Sequence, residues 1–114
     1  MAEVDRPLVW LHGEVKTPPF SAEVRRTTGF LLRLLQQGVS LSLPDSRPMP
    51  QIGPGCHELR VADARAGVTW RLVYRIDDDA IVIGEVFAKK TRATPPSVID
   101  ACRRRFAVYD QASR

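Results

Sequence analysis

The chain of 114 residues lacks any apolar run that approaches the roughly 20 residues of a membrane-spanning helix. Its start, Met1 to Arg6, also lacks the basic and apolar regions of a secretory signal peptide. These absences exclude an integral membrane protein and lead us to expect a cytoplasmic protein with no membrane partner. A chain of this length builds one hydrophobic core rather than two, so we expect a single domain over residues 1–114 with its core at about 7–110.

Cysteine is scarce, and the motifs of several enzyme classes are missing. Cys56 and Cys102 fit no metal-ligand spacing, which predicts reduced structural thiols in a cytoplasmic protein. The sequence has no glycine-rich phosphate-binding loop, no paired-histidine metal motif and no serine nucleophile elbow. We therefore expect neither a cofactor nor a metal ion.

What the chain does have is an excess of positive charge that is unevenly placed. Residues 1–64 carry seven Lys or Arg against seven Asp or Glu, whereas residues 65–114 carry ten against six and hold the whole net charge of +4. A basic surface attracts phosphate backbones through Coulomb forces and counterion release. The distribution therefore fits a nucleic-acid ligand, and equally a surface that basic residues merely keep soluble.

Two helices are predicted, one in each half of the chain. Ser21 is suited to an N-cap, apolar residues follow at helical spacing, and Gly38 stands where a C-terminal glycine belongs, so residues 21–38 predict a helix. Thr94 and Pro95 have the pattern of a cap and a first helical position. The second helix would carry an apolar stripe made of Val98, Cys102, Phe106 and Tyr109.

One strand is predicted near the start of the chain and three in its second half. The first is the apolar run Leu8–Leu11, and the others are Cys56–Asp63 and the two arms of a hairpin around Asp77–Asp79. Short links between the last three imply an antiparallel sheet, with an N-terminal and a C-terminal helix packed on it in an α+β fold. Residues 39–55, with four prolines, predict a loop that is either a functional lid or a surface strap held by apolar side chains.

Alternation along the strands sorts their side chains onto two faces of the sheet. The apolar face, which includes Trp70, Leu72 and Tyr74, is expected to pack against a helix. The other face is expected to be open and to carry Glu58, Arg60, Arg71 and Arg75.

The turn between the hairpin arms decides which side chains of the last strand join this open face. A three-residue turn, Asp77–Asp79, places Arg71 opposite Glu85 and brings Phe87 onto the arginine face. A two-residue turn instead turns Glu85 and Phe87 toward the apolar face. We favour the three-residue turn because a glutamate is better placed opposite an arginine than opposite a packed leucine.

A face of this kind has the groups needed to cleave RNA without a metal ion. The reaction requires a base for the 2′-hydroxyl, cations for the charge that grows on the phosphate, and an acid for the leaving oxygen. Arginine forks suit the phosphate, a lysine crowded by other cations can act as the base, and Phe87 or Tyr74 can stack on an unpaired base. Histidine also titrates near neutrality, so His12 and His57 are considered as acid–base groups, with a structural role as the alternative. The alternative for the whole face is a set of glutamate–arginine pairs that only solvates the sheet.

In their order and spacing, several pieces of the sequence together resemble the RelE/ParE superfamily of toxins, and within it the phage-derived, HigB-type branch. The pieces are Glu58-Leu59-Arg60, the run from Trp70 to Ile76, Phe87-Ala88-Lys89-Lys90-Thr91 and Thr94-Pro95. The resemblance implies a compact RNase-like fold and a type II toxin that cleaves mRNA on the ribosome. It also implies neutralisation by a small antitoxin, commonly a helix-turn-helix protein.

The resemblance also implies roles for individual residues. Arg71 matches the arginine that contacts the scissile phosphate, and Lys89 with Lys90 matches the basic end of the following strand, so these three are the expected catalytic residues. No residue matches a general acid, which leaves His57 and Tyr109 as candidates for acid or base. The residues expected to bind RNA are Arg60, Arg75, Phe87 and Thr91.

Two other functions stay open. ParE-type relatives inhibit DNA gyrase without catalysis, although they generally lack phosphate-contacting cations of the kind that Arg71 and the lysine pair supply here. An inactive relative kept as an RNA- or protein-binding module is the other alternative. The proline-rich segment 43–54 has no counterpart in the best-known toxins, and it could cover the basic face or recognise a partner.

Overall fold

The structure is a computed structural model that describes residues 5–11, 19–89 and 93–113. His12, Lys90 and Thr91 lie outside these ranges, as does the side chain of Lys89. Neither of the helices in the described ranges is both long and apolar enough to cross a membrane. The elements are β1 (Leu8–Trp10), α1 (Ala22–Gln36), β2 (Ser46–Pro48), β3 (Cys56–Asp63), β4 (Val68–Ile76), β5 (Ile81–Lys89) and α2 (Pro96–Ala112).

The strands form one mixed sheet in the order β1-β5-β4-β3-β2. β2 to β5 pair antiparallel, and β1 runs parallel to β5. The predicted α+β fold with an N-terminal and a C-terminal helix is confirmed, and β1 adds one parallel pairing to it. The segment predicted as a loop over 39–55 contains β2, whose Pro48 is tolerated because a strand at the edge of a sheet can lack an N–H donor.

The N-terminal helix α1 follows its sequence signals closely. The Ser21 hydroxyl accepts a hydrogen bond from the Val24 N–H at 3.1 Å, and Gly38 adopts a φ of +90° just beyond the helix. Its buried face packs on the side of the sheet that carries Leu59, Leu72 and Tyr74, which confirms the predicted apolar face.

The opposite face of the sheet is also covered, which corrects the expectation of an open face. α2 packs there through Cys102 and Phe106, and the proline-rich strap, defined here as residues 43–54, adds Met49 and Ile52. The strand residues under them include Val73 and Val82. β4 and β5 are therefore buried on both sides over part of their length, as their nearly continuous apolar runs permit.

The hairpin uses the two-residue turn, so the favoured three-residue turn was wrong. Ile76 pairs with Ile81, and the Asp77 N–H donates to the Ala80 carbonyl at 2.9 Å. A β-bulge at Gly84 then shifts the register by one residue.

The bulge reverses the alternation beyond it and changes the cross-strand partners. Arg71 faces Phe87, and Val73 faces Glu85, instead of the predicted pair of Arg71 and Glu85. Phe87 and Glu85 nevertheless lie on the arginine face, as expected.

Both cysteines are free and buried in the core under α2, as predicted for structural thiols. Burial raises the pKa of Cys56 to about 11 and that of Cys102 to about 12. Neither thiol is therefore ionised near neutral pH, which makes both poor nucleophiles.

Candidate functional site

Three of the predicted site residues form a row across the sheet. Arg60 on β3 pairs with Arg71 on β4, which pairs in turn with Phe87 on β5. Directly paired residues share a face, so we call these three side chains the arginine row. Arg60 and Phe87 are partly exposed, which places the row at the rim of the core under α2.

Glu58 lies beside the row and is fully buried, with 0% of its surface exposed. Its Oε1 accepts hydrogen bonds from Arg71 Nη1 at 2.6 Å and from Arg47 Nε at 3.2 Å, and its Oε2 accepts one from the Thr94 hydroxyl at 2.6 Å. A buried carboxylate is stable only when it is paired and hydrogen-bonded, and these three donors meet that need.

The expected exposure of Arg71 is wrong, because only 3% of its surface is accessible. The guanidinium is held against Glu58 inside the protein. The predicted glutamate–arginine alternative therefore describes this pair correctly, with the difference that the pair is buried instead of solvating the sheet.

Sequence reasoning missed two members of this cluster. Arg47 belongs to β2, where Ser46 points to the face of the sheet under α1 and hydrogen-bonds Tyr74 at 2.5 Å, so alternation turns Arg47 toward Glu58. Thr94 was predicted to cap α2, but Pro95 occupies that position without a side-chain cap, and the Thr94 hydroxyl donates to Glu58. The alternation of Ser-Arg-Pro could have indicated Arg47 only if an edge strand had been recognised there.

Arg75 shares the face of the arginine row but is engaged within the fold. It hydrogen-bonds Asp77 at 2.7 and 2.8 Å and Asp110 at 2.6 and 3.1 Å, and its guanidinium lies 5.0 Å from the ring centre of Phe106. The hydrogen bonds to Asp77 and Asp110 hold the pKa of Arg75 well above its ordinary value. The expected open position of Arg75 is therefore wrong, and its contacts fasten the hairpin turn to α2.

The candidate acid–base residues are not brought to the row. His57 pairs with Tyr74 and stacks on its ring at 5.4 Å, which puts it on the opposite face of the sheet. Tyr109 lies thirteen residues beyond the start of α2, about 20 Å along the helix axis. There it lines a cleft of 390 Å³ with Leu11 and Val108.

The expected catalytic lysines lie at or beyond the end of the described part of β5. The backbone of Lys89 pairs with Thr69, two register positions from the pair of Arg71 and Phe87. Its side chain, Lys90 and Thr91 lie outside the described residues.

The arrangement can bind a phosphate and stack a base. Arg60 is partly exposed and its Nε makes no hydrogen bond within the described ranges, and Phe87 offers a partly exposed ring on the far side of Arg71 in the same row. In the same ranges, no group of three or more His, Cys, Asp or Glu side chains could hold a metal ion.

Comparison with known families identifies the family of this chain. Residues 19–107 match the family described as phage derived protein Gp49-like (DUF891), which is well over half of the chain. No curated protein gives a significant match. The chain therefore belongs to the phage-derived Gp49-like family, a RelE/ParE-like toxin family of toxin–antitoxin systems.

Proposed function

We propose that the protein is a toxin of the HigB type that cleaves mRNA on the ribosome by metal-independent attack of the 2′-hydroxyl on the adjacent phosphate. The observation that carries this proposal is the arginine row, in which two guanidiniums and an aromatic ring occupy adjacent strands at the rim of the core. Phosphate binding by arginine together with base stacking is how proteins commonly hold single-stranded RNA.

Each residue of the row has a distinct proposed task. Arg60, which is partly exposed, contacts the RNA backbone beside the phosphate that is cut, and Phe87 stacks on an unpaired base. Arg71 is held in one orientation by Glu58, so it acts as a preorganised cation that stabilises charge on the phosphate. The base is assigned to Lys89 or Lys90, a role that rests on the family resemblance.

The proposed partners follow from the same family membership. The substrate is mRNA in the ribosome, and a small antitoxin, proposed to be a helix-turn-helix protein, neutralises the toxin in the cytoplasm. The supporting feature of this chain is the net charge of +4, which favours association with phosphate-rich ribosomal surfaces.

The experiment measures mRNA cleavage by purified protein with and without translating ribosomes. We expect cuts only with ribosomes, and we expect Arg60→Gln to slow them about tenfold or more, since an ionic hydrogen bond contributes about 1.5–3 kcal/mol. Arg25→Gln removes the same charge from the exposed side of α1, on the other face of the sheet, and should cleave at the wild-type rate. Absence of cleavage by the folded wild type, or equal rates for Arg60→Gln and wild type, would contradict the proposal.

A second candidate is favoured by one observation, namely that Arg71 and Arg75 are both ion-paired inside the protein. Non-enzymatic relatives do not need free phosphate-binding cations, and they act by inhibiting DNA gyrase. Inhibition of gyrase-catalysed supercoiling by the purified protein, with mRNA left intact, would support this candidate. Absence of growth arrest on expression without an antitoxin would instead indicate an inactive binding module.

A further inference from the structure

We propose that Arg47, which lies outside the arginine row, and Arg60 of the row together form a second phosphate subsite, which holds an RNA phosphodiester next to the one that is cut. This inference rests on the proposed function for the identity of the ligand. Its geometry comes from the proline-rich strap, because β2 within the strap brings Arg47 to the arginine face.

The two arginines are diagonal neighbours on adjacent strands. Arg47 faces Glu58 across β2 and β3, and Arg60 follows Glu58 by two residues on the same face. Diagonal neighbours of this kind are about 7–8 Å apart at their backbones, a gap that two arginine side chains can close on one phosphate. The pair therefore flanks the buried ion pair of Glu58 and Arg71 on the side of the strap.

Two hydrogen bonds orient the Arg47 guanidinium and leave its other N–H donors available to a ligand. Its Nε donates to Glu58 at 3.2 Å and its Nη2 donates to the Thr94 hydroxyl at 3.3 Å. A guanidinium has five N–H donors, so most of them make no bond within the described ranges. The side chain is 32% exposed, which leaves these donors within reach of a ligand.

The local charge favours an anion. Glu58 is the only carboxylate in the described ranges that is bonded to Arg47, and it is shared with Arg71. Arg60 makes no ion pair in those ranges, and its buried Nε lacks a hydrogen-bond partner there. Asp45 also lies nearby, since its backbone carbonyl accepts the Arg60 N–H at 2.8 Å. The three arginines of this cluster (Arg47, Arg60 and Arg71) and its two carboxylates (Glu58 and Asp45) together carry one net positive charge. A phosphodiester would neutralise this charge.

The test measures binding of a short 2′-O-methylated single-stranded RNA, which the protein cannot cleave, over a series of KCl concentrations. Each phosphate contact to a single strand contributes about 0.7 to the slope of log K against log [KCl]. Because the two arginines share one phosphate, we expect Arg47→Gln and Arg60→Gln each to weaken binding about tenfold, and we expect the double variant to lower the slope by about 0.7. Asp45→Asn removes a negative charge beside the subsite and should therefore tighten RNA binding.

Arg25→Gln is the matched charge control, because it removes one positive charge from the exposed side of α1, on the other face of the sheet. It should leave both the affinity and the salt slope at the wild-type values. The subsite is overturned if wild type shows no salt-dependent binding, if the double variant keeps the wild-type slope, or if Arg25→Gln weakens binding as much as Arg47→Gln. If the salt slopes are as expected but the protein does not cleave mRNA on ribosomes, the nuclease proposal is wrong and the phosphate subsite stands.

Discussion

At the scale of single residues, Glu58 organises the candidate site. Its side chain is fully buried. It accepts hydrogen bonds from Arg71 on β4, from Arg47 in the strap and from Thr94 just before α2. Removing one partner from such a group leaves a buried charge uncompensated. A substitution of Arg71 therefore changes stability as well as chemistry, and loss of activity in that variant alone would not establish catalysis.

The buried pair of Glu58 and Arg71 predicts the stability of two variants. Arg71→Met should lower the free energy of unfolding by about 3–5 kcal/mol, because it removes the closest cationic partner of the buried Glu58 carboxylate. The double variant Glu58→Gln with Arg71→Met should recover part of that loss, since a neutral amide can stay bonded to Thr94 and Arg47. Urea unfolding followed by circular dichroism measures both, and an Arg71→Met variant as stable as wild type would refute the ion pair's role.

At the scale of elements, the β4–β5 hairpin is shaped by one glycine. The bulge at Gly84 inserts an extra residue into β5, and α2 packs directly on it. A Cβ at this position would lie 3.0 Å from Phe106 Cζ and 3.2 Å from Cys102 Sγ. The glycine thus permits both the register shift that brings Phe87 opposite Arg71 and the close approach of the second helix.

Two glycine-to-alanine substitutions should accordingly have opposite effects. Gly84→Ala should destabilise the protein by about 1–3 kcal/mol through crowding against α2. Gly29→Ala lies in α1 with no atom within 4 Å of the added Cβ, and it should stabilise by about 0.5–1 kcal/mol through helix propensity. Thermal and urea unfolding of the two variants test this, and stabilisation by Gly84→Ala would show that α2 is not seated on the bulge.

At the scale of the whole molecule, the sheet is covered on both faces, and the strap completes the second cover. Met49 and Ile52 are buried with Cys102 and Phe106, and the Arg103 side chain donates to the Gln51 carbonyl and so ties α2 to the strap. The strap is therefore part of the core, and of the two predicted alternatives, a lid or a strap held by apolar side chains, the structure shows the strap.

The strap should contribute to stability like a core element. Met49→Ala is expected to cost about 2–5 kcal/mol, because the residue is 1% exposed and its removal leaves a cavity. Leu43→Ala, at a side chain that is 64% exposed, should change stability by less than about 0.5 kcal/mol. Equal effects of the two substitutions in urea unfolding would mean that the strap does not pack in solution as described.

Local signals were sufficient for most elements of the fold. The capping serine and the glycine after α1, the boundaries of β3, and the assignment of Leu72 and Tyr74 to one face all agree with the structure. These features depend on a few neighbouring residues and on the periods of helices and strands. The predicted three-residue turn was wrong because it rested on pairing Glu85 with Arg71. The bulge at Gly84, on which α2 packs, changes that pairing, and the residues of the hairpin alone do not indicate it.

The sequence by itself determined the α+β class and the presence of arginines on a common sheet face, because composition and alternation act locally. Only the tertiary structure decided which of those arginines are accessible. α2 and the strap, distant in sequence, converge on the sheet, bury Arg71 against Glu58 and bring Arg47 beside Arg60. Whether a charged side chain is buried depends on all the segments packed around it. Alternation along one strand indicates the face on which a residue lies but not which segments cover that face.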